Sequence, residues 1–179
     1  GFVKETKRIY PNSYLASHVI GFSGMDNIGL EGVERSYNNY LKGSPGWAVF
    51  LRDARLKKLD IWEKMVLPID GMDLVLTIDE VIQYIAEREL DKAFKKYNAK
   101  GASIVVMDPH TGRILAMATR TTYDLNDHSQ VSKDSIRNRA ICDLFEPGSV
   151  FKIVTASAAL EEKKVTEEDV FFCENGAYK

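Results

Sequence analysis

Ser149 and Lys152 are the residues whose types and spacing offer this chain a reaction. They stand three positions apart in Phe145-Glu146-Pro147-Gly148-Ser149-Val150-Phe151-Lys152-Ile153-Val154-Thr155-Ala156. A serine hydroxyl becomes a useful nucleophile when a neighbouring group takes its proton, and a lysine can do so as the neutral amine. On an α-helix a step of three residues is about 4.5 Å along the axis and roughly 60° in rotation, so both side chains share a face. Pro147 and Gly148 precede an apolar run that reaches Ala159 and Leu160. That order predicts a buried helix opening near Ser149: proline has no N–H to lose in a first turn, and glycine lets the chain bend into it. Val150, Phe151, Ile153 and Val154 would supply apolar surroundings, which disfavour the charged form of an amine. A serine at a helix start also has free backbone N–H groups nearby, where a reacting carbonyl gathers negative charge. The chemistry expected is acyl transfer through a serine ester.

The spacing alone carries little, because a capping serine with a first-turn lysine on a solvated helix does no chemistry. Context adds weight. None of the other serines has a lysine three residues on.

The elements that must position this pair occupy a chain of 179 residues, 45% hydrophobic and 28% charged, with formal net charge -2. This is an ordinary globular composition, long enough for one substantial core or two small ones. Without a basic excess there is no electrostatic support for nucleic-acid binding, and no apolar run reaches the length of a membrane span. His18, His110 and His128 lack zinc-site spacing, so neither a metal nor a cofactor is expected. Cys142 and Cys173 form no disulfide framework; they either pair in an oxidising compartment or remain as two buried thiols. The chain opens on Gly1, and Asn175-Gly176-Ala177-Tyr178-Lys179 reads as a turn entering another strand, so a longer parent chain is expected.

Residues 1–67 are rich in Gly, Asn, Tyr and Ser and show only short periodic segments. Leu15–Phe22 suits a short helix and strand. Val33, Tyr37, Tyr40 and Leu41 recur at helical spacing until Lys42-Gly43 ends the run. Trp47–Lys57 alternates as strands do. Glu31 and Glu34 are expected to fix loops and the helix start through backbone N–H groups rather than to act as an acid–base pair. Pro68-Ile69-Asp70-Gly71 marks a boundary, dividing the chain into 1–67 and 68–179. Leu74–Ile78 then reads as a strand, and Asp79 as the cap of a long helix carrying Ile82, Ile85, Ala86, Leu90, Ala93, Phe94 and Tyr97 on one side. Its other side, Glu, Arg, Asp and Lys, reads as solvated. Ala102–Met107 and Arg113–Ala118 are predicted strands joined by a tight turn at Asp108-Pro109-His110-Thr111-Gly112. Thr121–Arg139 is polar and loop-like. The fold class expected is α+β.

Several of these motifs, in this order, resemble the class B penicillin-binding proteins. Asn138-Arg139-Ala140-Ile141 followed by Glu146-Pro147-Gly148-Ser149-Val150-Phe151-Lys152 is similar to the start of that family's active site. S-x-x-K is the nucleophile signature of β-lactamases and penicillin-binding proteins alike. Leu76-Thr77-Ile78-Asp79, Val106-Met107-Asp108-Pro109 and Thr111–Met117 resemble the opening of the transpeptidase domain. Arg8-Ile9-Tyr10-Pro11 and Gly29-Leu30-Glu31-Gly32-Val33-Glu34 resemble the non-catalytic, dimerisation-like pedestal before it. Glu146 and the form of the Gly29–Glu34 motif are closer to the division or sporulation branch than to the elongation branch.

The resemblance implies a mixed pedestal segment over 1–67, then the first part of a transpeptidase domain over 68–179 with an antiparallel sheet packed by helices. It implies a D,D-transpeptidase in which Ser149 attacks the D-Ala–D-Ala bond of a peptidoglycan stem peptide and Lys152 takes its proton. It also implies acylation by β-lactams, a single membrane anchor upstream, placement outside the cytoplasmic membrane, and partnership with a membrane glycan polymerase and division proteins. The family further needs a later S-x-N and K-T-G, and neither follows Lys152. Ser36-Tyr37-Asn38 and His110-Thr111-Gly112 imitate them but precede the nucleophile. This stretch alone is therefore expected to be inactive. A serine β-lactamase or β-lactam sensor shares S-x-x-K but has no need of a pedestal, and a non-catalytic interaction module is the alternative from another class.

Overall fold

The computed structural model describes residues 7–52, 58–127, 129, 131–173 and 176, with the backbone alone given for 50–52 and 58–63. His128 and most of the expected C-terminal turn lie outside the described residues. The chain divides into two compact units, 1–143 and 144–179.

The first unit begins with three short helices, α1 (Ser17–Ile20), α2 (Gly32–Ser36) and α3 (Asn38–Leu41). The single helix expected over Val33–Leu41 is interrupted at Tyr37, whose ψ of 16° departs from helical geometry. The motif glycines serve close packing: Gly32, at φ +59°, sits so near the backbone of Gly21 that a Cβ would collide with it. The pair β1 (Trp47–Arg52) and β2 (Lys58–Val66) is antiparallel, with Trp47 opposite Val66. The strand expected from the alternation is found over Trp47–Arg52; residues 53–57 lie outside the described residues, and β2 begins just past the stretch read as alternating.

The 18-residue helix α4 (Glu80–Tyr97) starts where expected, with the Asp79 carboxylate accepting from the Ile82 N–H at 2.9 Å. It ends at Asn98 in the left-handed conformation. Strands β3 (Ala102–Met107) and β4 (Ile114–Arg120) pair antiparallel, Val105 opposite Met117. In the hairpin turn Asp108 accepts from the His110 N–H at 2.9 Å and the Thr111 hydroxyl at 2.6 Å. These bonds hold its carboxyl below the usual range. Ala86 and Leu90 of α4 close on Ala116 and Ala118 of β4, with Ile82, Ala102, Ile104 and Val106 around them. Burying each large aliphatic side chain of this kind contributes about 2 kcal/mol.

Four expectations are corrected here. Leu74–Ile78 forms no ladder; it ends beside the start of β4, where the Asp79 N–H reaches the Leu115 carbonyl at 2.8 Å and the Thr77 hydroxyl the Ile114 carbonyl at 2.6 Å. Ile85 and Tyr97 are exposed, because the buried stripe of α4 runs through Gln83, Ala86 and Leu90. The face of α4 read as solvated supplies Glu87 and Asp91 to Arg120, which is buried at the end of β4 and reaches Asp91 at 2.7 Å and the Glu87 carbonyl at 2.8 Å. Finally, the polar segment after Thr121 contains α5 (Lys133–Ile136) and two core residues, Tyr123 and Leu125, which join Tyr10 and Phe22 in a second cluster.

Backbone bonding seals that second cluster. The Leu125 N–H donates to the Ser13 carbonyl at 3.0 Å, and the Asn126 side chain both accepts from the Tyr10 N–H and donates to its carbonyl. Tyr123 donates to the Ser17 carbonyl at 3.0 Å, and burial pushes its phenol up to about 12. A further turn, α6 (Arg139–Cys142), packs on β3 and β4. The second unit consists of a 3₁₀ turn (Gly148–Phe151) leading into α7 (Lys152–Glu161). The architecture is a mixture of helices and antiparallel strands, the α+β class.

Candidate active site

Ser149 lies on the 3₁₀ turn and Lys152 is the first residue of α7. Gly148 takes a left-handed φ of +54°, a conformation that a side chain would strain, and Pro147 before it holds φ at -69°. The Lys152 N–H bonds back to the Ser149 carbonyl, the three-residue closure of a 3₁₀ turn. In such a turn residues i and i+3 are eclipsed, so Ser149 and Lys152 project along the same line of the helix. The expected α-helical opening is corrected to this tighter form. Gly148 and Pro147 turn the chain so sharply that the first closure spans three residues instead of four.

The expected burial is also corrected. Val150, Phe151, Val154 and Leu160 are exposed, as is Ile153 at 67%. Ser149 and Lys152 are themselves exposed, and neither side chain is hydrogen-bonded among the described residues. An isolated helix of ten residues has no second layer to pack on within residues 144–173, so the apolar cover that the chemistry calls for is not supplied there.

The stretch leading toward Ser149 is held by ion pairs that the sequence did not announce. Arg139 reaches Asp134 at 2.6 Å and Asp143 at 3.1 Å, and Arg137 reaches Asp143 at 2.7 Å. Asn138 caps α6, its side-chain oxygen accepting from the Ala140 N–H at 3.2 Å. The i,i+4 spacing of Arg139 and Asp143 was the one signal that could have revealed this network.

The two look-alike motifs have structural work. Asn38 accepts from the Gly29 N–H at 2.9 Å, while His110-Thr111-Gly112 lies in the β3–β4 turn. Glu34 is buried and takes Arg8 at 2.9 Å and the Tyr10 hydroxyl at 3.3 Å, so its partners are side chains rather than the expected backbone N–H groups. Glu31 precedes α2 without a side-chain cap and lies 3.8 Å from Arg35. Cys142 and Cys173 are unpaired and exposed, so the expectation of buried thiols fails: Cys142 closes a single helical turn whose outer side faces solvent. Among the described residues no three His, Cys, Asp or Glu side chains converge, and no helix is long and apolar enough to cross a membrane.

Two family models match the chain in succession. Residues 2–76 match the family model of the penicillin-binding protein dimerisation domain, and residues 102–179 that of the penicillin-binding protein transpeptidase domain. Stage V sporulation protein D of Bacillus subtilis is 43% identical over 172 residues, 94% of this chain and 27% of that protein. Peptidoglycan D,D-transpeptidase FtsI of Escherichia coli K12 is 36% identical over 173 residues, 93% of this chain and 28% of that protein. Among solved structures, penicillin-binding protein 3 of Mycobacterium tuberculosis in complex with aztreonam superimposes with a TM-score of 0.71 at 33% identity, covering 92% of this chain and 34% of that one. The chain belongs to the class B penicillin-binding proteins. It spans less than a third of the length of the two named relatives.

Proposed function

We propose that this chain is part of a peptidoglycan D,D-transpeptidase in which Ser149 is the nucleophile and Lys152 its proton acceptor. The observation that carries the reading is the Pro147-Gly148-Ser149-x-x-Lys152 turn, bent by a left-handed glycine and set at the head of an apolar helix inside the stretch matched to the transpeptidase domain. In the reaction the Ser149 Oγ–C bond forms as the peptide C–N bond between the two D-alanines breaks. The Oγ proton passes to the Lys152 amine and on to the departing D-alanine amine. An amine from a neighbouring stem peptide then attacks the ester: the cross-link C–N bond forms as the acyl C–Oγ bond breaks, and a proton from that amine passes to the Ser149 oxygen. A β-lactam offers the same kind of amide, and its ester with Ser149 persists.

We place the division between pedestal and transpeptidase at 67/68; the order of the two family matches supports two successive regions, although the first match runs on to residue 76. The relatives named stage V sporulation protein D and FtsI are consistent with a septal or sporulation role; anchoring in the bacterial membrane, work on its outer side, and a membrane glycan polymerase and division proteins as partners are proposed from the family resemblance alone. Residues 1–179 alone are expected to be inactive, since groups that act as one catalytic unit do not contribute separately. The test is turnover of a D-Ala–D-Ala pentapeptide by the full-length protein. Release of D-alanine that Ser149→Ala abolishes is expected; release that survives Ser149→Ala would overturn the assignment.

A further inference from the structure

His18 of α1 is held at both ring nitrogens inside the first unit. Its Nε2 lies 2.8 Å from the Ser135 carbonyl of α5, and its Nδ1 lies 3.3 Å from the Ser17 hydroxyl. A carbonyl only accepts, so Nε2 carries the hydrogen and Nδ1 is left as the acceptor of a neutral ring. The hydroxyls beside it are oriented by that fact. Ser17 gives its one proton to Nδ1, and Thr122, 2.9 Å from Ser17, must donate to Ser17 in turn.

A proton on Nδ1 would reverse this row. Nδ1–H would point at Ser17, Ser17 would donate to Thr122, and Thr122 would be left with the Tyr14 carbonyl at 3.5 Å. That distance allows only a weak bond. Ser17 is 1% exposed, so solvent does not replace the better partner. Nor does the charged ring find a free counter-charge. The charged groups facing it are Glu87 of α4 and Arg120 of β4, opposite in sign. Glu87 already accepts from the Ala16 N–H at 2.7 Å and the Gln83 amide at 2.8 Å. On α5, Asp134 is taken by Arg139 at 2.6 Å and Lys133 is exposed. Tyr123 meets the ring edge-on, with centroids 5.2 Å apart, and its hydroxyl donates to the Ser17 carbonyl. Burial accordingly holds the imidazole below its ordinary value of 6.5.

The two elements that the ring joins are unequally fixed. α1 carries the buried Ser17, and the Ala16 N–H before it is bonded to Glu87. α5 is a single turn with no buried residue; its Ile136 rests partly buried on the second cluster, and Thr121 adds an exposed bond to the Ser135 hydroxyl at 3.3 Å. α1 lies in the stretch matched to the dimerisation domain and α5 in the stretch matched to the transpeptidase domain. We propose that His18 is a pH-sensitive clasp between these two stretches: neutral, it holds α5 against α1; protonated, it lets α5 lift away until the imidazolium meets water. The opening takes up one proton. Its equilibrium constant should therefore rise up to about tenfold for each pH unit, from 6.5 down to the lower value of the closed form.

The test is hydrogen exchange of the full-length protein, read by mass spectrometry from about pH 8 to about pH 5 and corrected for the intrinsic pH dependence of amide exchange. The α5 opening constant should rise with that slope and stay larger than that of α4 throughout. Equal constants for α5 and α4 would mean that the whole unit unfolds, and would overturn the proposal. His18→Gln keeps a donor for the Ser135 carbonyl but does not titrate, and it should abolish the rise. His128→Gln removes the histidine nearest to α5 in sequence and should leave the rise intact. A rise that survives His18→Gln, or one that vanishes in His128→Gln, would overturn the clasp. Where His18→Gln does not fold, the unsubstituted protein decides: an α5 opening constant that stays level below pH 6.5 overturns it.

Discussion

Residues 7–143 and residues 144–173 handle the same kinds of side chain in opposite ways. In the first, apolar residues from α4, β3 and β4 close a cluster, and the polar groups caught inside it are bonded: Gln83 to Met117, Arg120 to Asp91 and Glu87, Tyr123 to Ser17. In the second, the 3₁₀ turn carries Val150 and Phe151, and α7 carries Ile153, in solvent. The difference separates two tasks. The first unit holds its own fold, whereas the chemistry of Ser149 and Lys152 depends on whatever lies over α7, since a dry environment disfavours the charged form of an amine, leaving it neutral to accept a proton, and strengthens any donor to the oxyanion.

Substitutions can break or sharpen that contrast. Leu125 is 1% exposed in the cluster with Tyr10, Phe22 and Tyr123. Leu125→Ala should cost about 3 kcal/mol in urea unfolding, and a loss near zero would mean that 121–139 is the loop its polarity suggested. Asp79→Ala removes the α4 cap and should cost about 1 kcal/mol by the same measurement.

His18 probes the first unit more gently. Its Nε2–H donates to the Ser135 carbonyl at 2.8 Å. Burial, the largest influence, holds its pKa below the ordinary value of 6.5, with Glu87 and Arg120 as the nearby charges. A depressed folded value means the unfolded chain binds the proton first. His18 therefore contributes stability that is present above pH 6.5 and lost as pH falls through the lower folded value. His18→Gln should flatten the acid side of the stability profile, and an unchanged slope would contradict this. The smallest effect belongs to α7: Ile153→Ser should change the stability of residues 1–179 by less than about 0.5 kcal/mol. A loss comparable to that of Leu125→Ala would erase the contrast.

Legibility in the sequence followed how far each signal was local. The Asp79 cap, the length of α4 and the β3–β4 hairpin rest on neighbouring residues and were readable. Tyr123 and Leu125 were not, because they stand singly among polar residues and find their partners at Tyr10 and Phe22. Gln83 was invisible for the opposite reason: a polar residue beside an apolar stripe reads as surface, and only the open backbone groups of Met117 turn it inward. Ser149 and Lys152 were found by spacing, whereas the 3₁₀ form of their turn depends on the left-handed Gly148. The exposure of α7 was missed because an apolar run predicts burial without saying against what.

One experiment bears on the whole reading: incubation of the full-length protein with a penicillin, proteolysis, and mass spectrometry of the peptides. A single acyl adduct on Ser149, displaced only slowly and absent from Lys152→Ala over the same time, is expected. An adduct on another residue, or none in a protein that still cross-links stem peptides, would contradict it.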